Sequence, residues 1–121
     1  MTITRKQIVW MGGSRDDLAG MPESVRKDFG GALHAVQEGR DPGAKALKGA
    51  AKGAVQLSED HDGDTFRAVY TVEMQGFVYV LHCFQKKSKS GRATPKPDLD
   101  LIAKRLKDAR ALHRQQQGKT P

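Results

Sequence analysis

The chain has 121 residues and a formal net charge of +7, and 37% of its residues are hydrophobic. This length is typical of one domain, so we predict a single domain over residues 1–121, with its core at about residues 7–112 and a frayed basic tail at residues 115–121. No apolar run approaches the roughly 20 residues of a membrane span, and the N-terminal residues lack a signal peptide's apolar core, so we expect a cytoplasmic protein.

The positive charge is concentrated in the last third of the chain. Residues 1–85 carry ten Lys and Arg against eleven Asp and Glu, whereas residues 86–121 carry eleven against three. A local excess of basic side chains is typical of a surface that binds a polyanion, because each cation that neutralises a phosphate releases a counterion. A solvated helix face followed by a basic tail would carry the same charge. The charge pattern therefore leaves both interpretations open.

The first half of the sequence predicts one strand followed by two helices. Residues 8–11 form a short apolar run that ends in two glycines, which is typical of a strand and its turn. Ser14 is a candidate helix cap. A second helix is predicted after Pro22, and its inward residues are Val25, Phe29, Leu33 and Val36. Residues 40–52 are rich in Gly, Ala and Lys and predict a loop.

Three more strands are predicted in the middle of the chain. They cover residues 54–57, 65–74 and 77–84, and short turns between them favour an antiparallel meander. Alternation along the middle strand places Arg67 on its less apolar face. The opposite face is predicted to carry Phe66, Ala68, Tyr70, Val72 and Met74. Because only 6% of the residues are aromatic, we expect helices on one side of the sheet and an open second face.

The last third of the sequence predicts a basic loop and a helix. The loop, residues 85–92, is almost entirely polar. The helix is predicted to begin near Pro97, because carboxylates in its first turn suit the helix dipole, and to direct Leu99, Ile102, Leu106 and Ala109 inward. The fold class is therefore α+β, with an N-terminal strand and two helices packed on an antiparallel sheet and a C-terminal helix.

Few residues are candidates for chemistry. A guanidinium in the middle of a strand needs an anion or an ion pair, so Arg67 either binds a ligand or pairs with Glu73 or another carboxylate. The four histidines share no ligand spacing, and we expect neither a metal site nor a cofactor. His82 is the one histidine placed to take part in a reaction, since it lies near a strand end, four residues from Lys86. Cys83, the only cysteine, is predicted to be a buried and inert thiol.

Three stretches of the sequence carry a family pattern. They are DTFRAVY at residues 64–70, VYVLHCFQKKSK at residues 78–89 and TPKPDLDLI at residues 94–102. On these residues the chain resembles the phage-derived, HigB-type branch of the RelE/ParE toxin superfamily. The resemblance implies a RelE-like fold and a toxin of a type II toxin–antitoxin system. It further implies metal-independent cleavage of mRNA on the ribosome, and neutralisation by a cognate antitoxin with a helix-turn-helix domain.

The same resemblance implies roles for individual residues. Arg67 would hold the scissile phosphate, Lys87 would be a second catalytic cation, and His82 is a candidate for proton transfer. The residues that would bind RNA are Lys48, Lys52, Lys86, Lys89 and Arg92. The general base stays unassigned, because Ala54 and Gln56 stand where relatives have lysines.

Two other functions remain open. A ParE-like inhibitor of DNA gyrase would share the fold and needs no catalytic base, and so would a non-catalytic binding module retained in a prophage. The unassigned base favours these two alternatives, whereas Arg67 and the lysine-rich loop favour the endoribonuclease.

Overall fold

A computed structural model describes residues 5–86 and 93–118 of the chain. Within these ranges the elements are β1 (Gln7–Trp10), α1 (Ser14–Ala19), α2 (Glu23–Gln37), β2 (Lys45–Ala46), β3 (Val55–His61), β4 (Asp64–Thr71), β5 (Phe77–Lys86) and α3 (Lys96–Gly118), with a 3₁₀ turn at Gly49–Ala51. No helix in these ranges is long and apolar enough to cross a membrane.

The strands form one mixed sheet in the order β1-β5-β4-β3-β2. The predicted meander is confirmed, because β3, β4 and β5 are antiparallel, with Leu57 opposite Ala68 and Ala68 opposite Cys83. Strand β1 joins the sheet parallel to β5, with Trp10 opposite Val80. The predicted α+β class, with an N-terminal strand, two helices and a C-terminal helix, is confirmed.

Helices α1 and α2 cover one face of the sheet. The four predicted core residues of α2 are all buried, because spacing of three or four positions places them on one stripe of the helix. This stripe packs with residues of β4 and β5, namely Ala68, Tyr70, Val78 and Val80. The α-helical period in the sequence was therefore sufficient to define this half of the core.

Helix α3 covers part of the second face, so the expectation of an open second face is wrong. Its residues Ile102, Leu106 and Ala109 are fully buried and pack with Val69 and Tyr79 of the sheet. A helix needs only one apolar stripe to dock, and the charged remainder of α3 stays solvated. The sequence therefore predicted the buried stripe of α3 but not the face of the sheet on which it packs.

Arginines of α3 add polar contacts to this docking. Arg105 donates a hydrogen bond of 2.9 Å from Nη1 to the backbone oxygen of Leu81. Its guanidinium lies close to Gly12, where a Cβ would meet Nη2 at 2.6 Å, and the positive φ of +54° at this residue also favours glycine. Arg110 binds both carboxylate oxygens of Glu73. These contacts fix the position of α3 along the sheet.

Strand β5 contains one extra residue relative to β4. His82 lies opposite Val69 and Val80 lies opposite Tyr70, so Leu81 has no counterpart and forms a β-bulge. As a result Leu81 and His82 lie on the same face of the sheet, against α3. The even-numbered residues after the bulge, Phe84 and Lys86, lie on this face as well.

Several local predictions are wrong. Ser14 does not cap α1: it is the first helical residue, and its buried hydroxyl donates to the backbone oxygen of Val80 at 3.2 Å instead. Strand β4 ends at Thr71, so Val72 is exposed and Met74 belongs to the core under α3. Helix α3 continues through Gly118, so residues 115–118 are helical rather than frayed.

Candidate active site

A polar cleft lies on the same sheet face as α3. It has a volume of about 470 Å³ and is lined by Lys45, Gln56, Ser58, Asp60, Thr65, Arg67 and Lys86. These side chains share a face because strand residues alternate in direction and opposed residues point the same way. Ser58 lies opposite Arg67, and Thr65 lies opposite both Asp60 and Lys86. The strand register therefore assembles the cleft from four different strands.

Arg67 lies buried at the base of this cleft, with 4% of its surface exposed. Its Nη1 donates a hydrogen bond of 3.0 Å to the hydroxyl of Thr94, and that hydroxyl donates to Oε1 of Gln56 at 2.8 Å. Burial lowers the pKa of the Arg67 guanidinium from its usual value, while Asp98 and Asp60 act in the opposite direction. The guanidinium nevertheless stays protonated, because an arginine pKa is so far above neutrality.

The sequence left open whether Arg67 binds a ligand or pairs with Glu73 or another carboxylate, and Glu73 is not its partner. Glu73 lies beyond the end of β4 and forms a bidentate ion pair with Arg110 of α3. Arg67 instead lies in the cleft with Lys86, which is 9% exposed, and with the exposed Lys45. The structure thus brings Arg67 and Lys86 together in one cleft. Lys45, which belongs to the predicted loop, joins them through β2.

His82 lies outside this cleft. Its ring stacks on Phe84 with centroids 4.4 Å apart, and its Nε2 lies 2.8 Å from Oδ1 of Asp98 in α3. The residue is 7% exposed and lines a different cavity, of about 410 Å³, together with Asp17 and Asp98. This geometry fixes the beginning of α3 against the sheet.

The other predicted RNA-binding residues are distributed differently. Lys48 and Lys52 are exposed on either side of the 3₁₀ turn, whose Ala51 packs into the core under α3, and neither lines the cleft. Lys87, Lys89 and Arg92 lie outside the described residues.

Sequence reasoning missed several polar residues of the cleft. Gln56, which it treated only as a missing lysine, is buried and accepts the hydrogen bond from Thr94. Asp60 accepts a hydrogen bond of 2.8 Å from the hydroxyl of Thr65 to its Oδ1. Ser58 and Asp60 were missed because the preceding strand was predicted to end at Leu57. Continuing the alternation of that strand by four residues would have placed both on the face of Arg67.

The structure is thus an α+β protein in which a mixed sheet lies between helices and carries a cleft around an arginine on its central strand. The chain belongs to the phage-derived Gp49-like protein family, whose model matches residues 16–107. Its membership confirms the resemblance to the RelE/ParE superfamily, while the HigB-type branch stays a prediction. No curated protein matches the chain in sequence.

Two solved structures share the fold. One is a double-arginine mutant of the Escherichia coli toxin RelE in the free state, with a TM-score of 0.60 and 17% identity over 84% of this chain and 98% of that chain. The other is the toxin–antitoxin complex RelBE2 from Mycobacterium tuberculosis, with a TM-score of 0.50 and 17% identity over 72% of this chain and 98% of that chain. At this identity the likeness establishes the fold.

Proposed function

We propose that this protein is the toxin of a toxin–antitoxin system and acts as a metal-independent, ribosome-associated endoribonuclease that cuts mRNA. The observation that carries the proposal is the buried Arg67, held by Thr94 in a cleft that also contains Lys86 and Lys45. A fixed guanidinium grips a phosphate with two hydrogen bonds, and neighbouring ammonium groups attract the flanking phosphates. The cleft is therefore suited to an RNA backbone.

The reaction uses the RNA's own 2′-hydroxyl as nucleophile. Its attack on the adjacent phosphorus increases the negative charge on the non-bridging oxygens, and a preorganised cation stabilises that charge more in the transition state than in the ground state. Arg67 is this cation. Lys87 is proposed as a second one, and Lys86, Lys89 and Arg92 as contacts to flanking phosphates, because in the sequence these basic residues run from Lys86, the last residue of β5, to Arg92.

The proposed roles of the remaining residues follow from their positions. Lys48 and Lys52 are solvent-exposed and outside the cleft, so we assign them to the RNA backbone away from the cut. His82 is buried between Phe84 and Asp98, so its proposed contribution is to hold α3 and not to transfer protons directly.

The neutralising partner is proposed to be an antitoxin with a helix-turn-helix domain. The structural relative from M. tuberculosis is a complex of a toxin with its antitoxin, which supports an antitoxin partner. The helix-turn-helix domain is proposed from the family resemblance alone. Such a partner must cover a surface with a strong positive charge, since the chain has a net charge of +7. We therefore expect the segment that covers the cleft to be acidic.

Mapping RNA 5′ ends after brief induction of the protein tests the proposal. We expect new ends within translated messages, 2′,3′-cyclic phosphate on the upstream fragments, and loss of both with Arg67→Ala. The same purified protein should cut mRNA in a reconstituted translation system. Growth arrest without new RNA ends, combined with inhibition of DNA gyrase, would contradict the proposal and favour the ParE-like alternative. Absence of both effects would favour a binding module.

A further inference from the structure

The proposed reaction requires a group that removes the proton from the 2′-hydroxyl. Among the described residues that line the cleft, Asp60 is the one carboxylate, and the others are serine, threonine, glutamine, lysine and arginine. Neutral hydroxyl and amide groups are poor bases, and lysine and arginine are ordinarily protonated at neutral pH, whereas an aspartate is ionised. We propose that Asp60 is the general base of the cleft. This inference rests on the proposed function.

The register places Asp60 at a suitable distance from Arg67. Asp60 lies opposite Thr65 on β4, and Arg67 follows two residues later on the same face. Such diagonal neighbours in a sheet are about 7–8 Å apart. A phosphate held by the guanidinium and its adjacent 2′-oxygen fit into that gap. The charge of Asp60 already acts on the pKa of Arg67, in agreement with this proximity.

Thr65 orients the carboxylate. Its hydroxyl donates to Oδ1 of Asp60 at 2.8 Å, and no hydrogen bond from the described part of the chain engages Oδ2. One oxygen is thus anchored while the other can accept a proton from a bound ribose. Among the residues that the structure describes, the charged groups that face Asp60 across the cleft are Lys45 from β2, Arg67 from β4 and Lys86 from β5.

In the proposed step Oδ2 of Asp60 takes the proton of the 2′-hydroxyl as the 2′-oxygen forms a bond to phosphorus. The bond from phosphorus to the 5′-oxygen breaks, and that oxygen leaves with the electron pair and takes a proton from solvent water in the open cleft. Protonated Asp60 returns its proton to solvent. The products are a 2′,3′-cyclic phosphate and a 5′-hydroxyl.

The purely electrostatic alternative is that Asp60 only offsets the charge of Arg67. Asp60→Asn keeps an oxygen acceptor for Thr65 and separates the two by the direction of its effect. Loss of the charge alone would leave Arg67 a less compensated cation and the rate unchanged or higher, whereas loss of the base lowers the rate. We expect single-turnover cleavage to fall about 100-fold or more, and the rise of the wild-type rate from acid to neutral pH to disappear. Binding of mRNA that is 2′-O-methylated at the cut site should be unchanged or tighter.

Asp64→Asn is the matched control. Asp64 is an exposed carboxylate on the same hairpin, opposite His61 and outside the cleft, so the variant loses the same charge and should cut at the wild-type rate. Asp60→Asn cleaving at the wild-type rate, or with an unchanged pH profile, would overturn the assignment, as would an equal loss in Asp64→Asn. If the wild-type chain cuts no RNA, the proposed function fails and the base with it. If the wild-type chain cuts RNA but Asp60→Asn does not show the expected loss, only the assignment of the base is wrong.

Discussion

Nη1 of Arg67 and the hydroxyl oxygen of Thr94 lie 3.0 Å apart, although 27 positions separate the two residues in the chain. Thr94 directs its own hydroxyl proton to Gln56, so its oxygen can only accept the hydrogen bond from Arg67. The guanidinium is thereby held in one orientation at the base of the cleft. A hydrogen bond to a charged group in a buried site contributes more to stability than an average hydrogen bond does.

The first prediction concerns this contact. Thr94→Val keeps the shape of the side chain and removes the hydroxyl, so the guanidinium loses its anchor. We expect single-turnover cleavage to fall about tenfold, because a hydrogen bond to a charged group contributes roughly 1.5–3 kcal/mol. Thr94→Ser retains the hydroxyl and should restore most of the rate. Equal losses in both variants would show that packing, and not the hydroxyl, is responsible.

Arg67 itself provides the second prediction. Arg67→Ala should reduce cleavage about 100-fold or more, on the scale of losing one preorganised donor to the transition state. Arg67→Lys should recover only part of the rate, because it keeps the charge and loses the bidentate fork. Melting temperature and single-turnover rate are measured on the same samples. A variant that melts several degrees lower while its folded fraction cuts normally would indicate a structural role instead.

The third prediction concerns the salt dependence of RNA binding. Lys45→Ala and Lys86→Ala each remove a cation from the cleft, and we expect each to weaken binding and to reduce the slope of log K against log salt by about one. Lys27→Ala is the matched control, since Lys27 is exposed on α2, which packs on the opposite face of the sheet, and pairs there with Glu23. Identical slopes in all four proteins would exclude contact between the cleft and RNA phosphates.

The fourth prediction concerns stability against pH. Burial raises the pKa of Glu59 to about 7, and the neighbouring carboxyl of Asp28 acts in the same direction while His61 opposes it. The folded protein therefore binds more protons than the unfolded chain between the ordinary value of 4.5 and about 7, so this residue makes stability fall as pH rises through that window.

Glu59→Gln removes this dependence. We expect the variant to melt at a higher temperature than the wild type above about pH 7 and at nearly the same temperature well below pH 4.5, where Glu59 is protonated in both states. Thermal melts of both proteins across that range provide the measurement. A difference that stays constant with pH would show that the carboxyl does not titrate as its surroundings require.

The sequence predicted the elements whose burial repeats with a regular period. The core stripe of α2 follows the helical period, and the meander follows two-residue alternation separated by short turns. The outer half of β3 was missed because Ser58 and Asp60 line a polar cleft, so the run lacks the apolar residues that identify a strand. Strand β2, Lys45–Ala46, is only two residues long and is too short to show alternation of apolar and polar residues.

The candidate site was predictable only in part, for a related reason. Arg67 was identified because a guanidinium in a strand is unusual, and that argument needs no knowledge of its neighbours. The contact of Thr94 with Gln56 joins residues 38 positions apart, and the bulge at Leu81 reverses the alternation before Lys86. No short stretch of the sequence predicts either feature, because both depend on how segments distant in the chain pack together.

The bulge at Leu81 reverses the alternation of side chains along β5. Before it the odd-numbered residues face α3, as Tyr79 does, and after it the even-numbered residues do, as Lys86 does. One strand can therefore supply the hydrophobic layer with its first half and the cleft with its second. Deletion of Leu81 would bring Val80 and His82 into regular one-to-one pairing with Tyr70 and Val69, so Lys86 would stay opposite Thr65 on the cleft side. The extra residue therefore adds an apolar side chain to the layer under α3 without changing the face of the cleft residue that follows it.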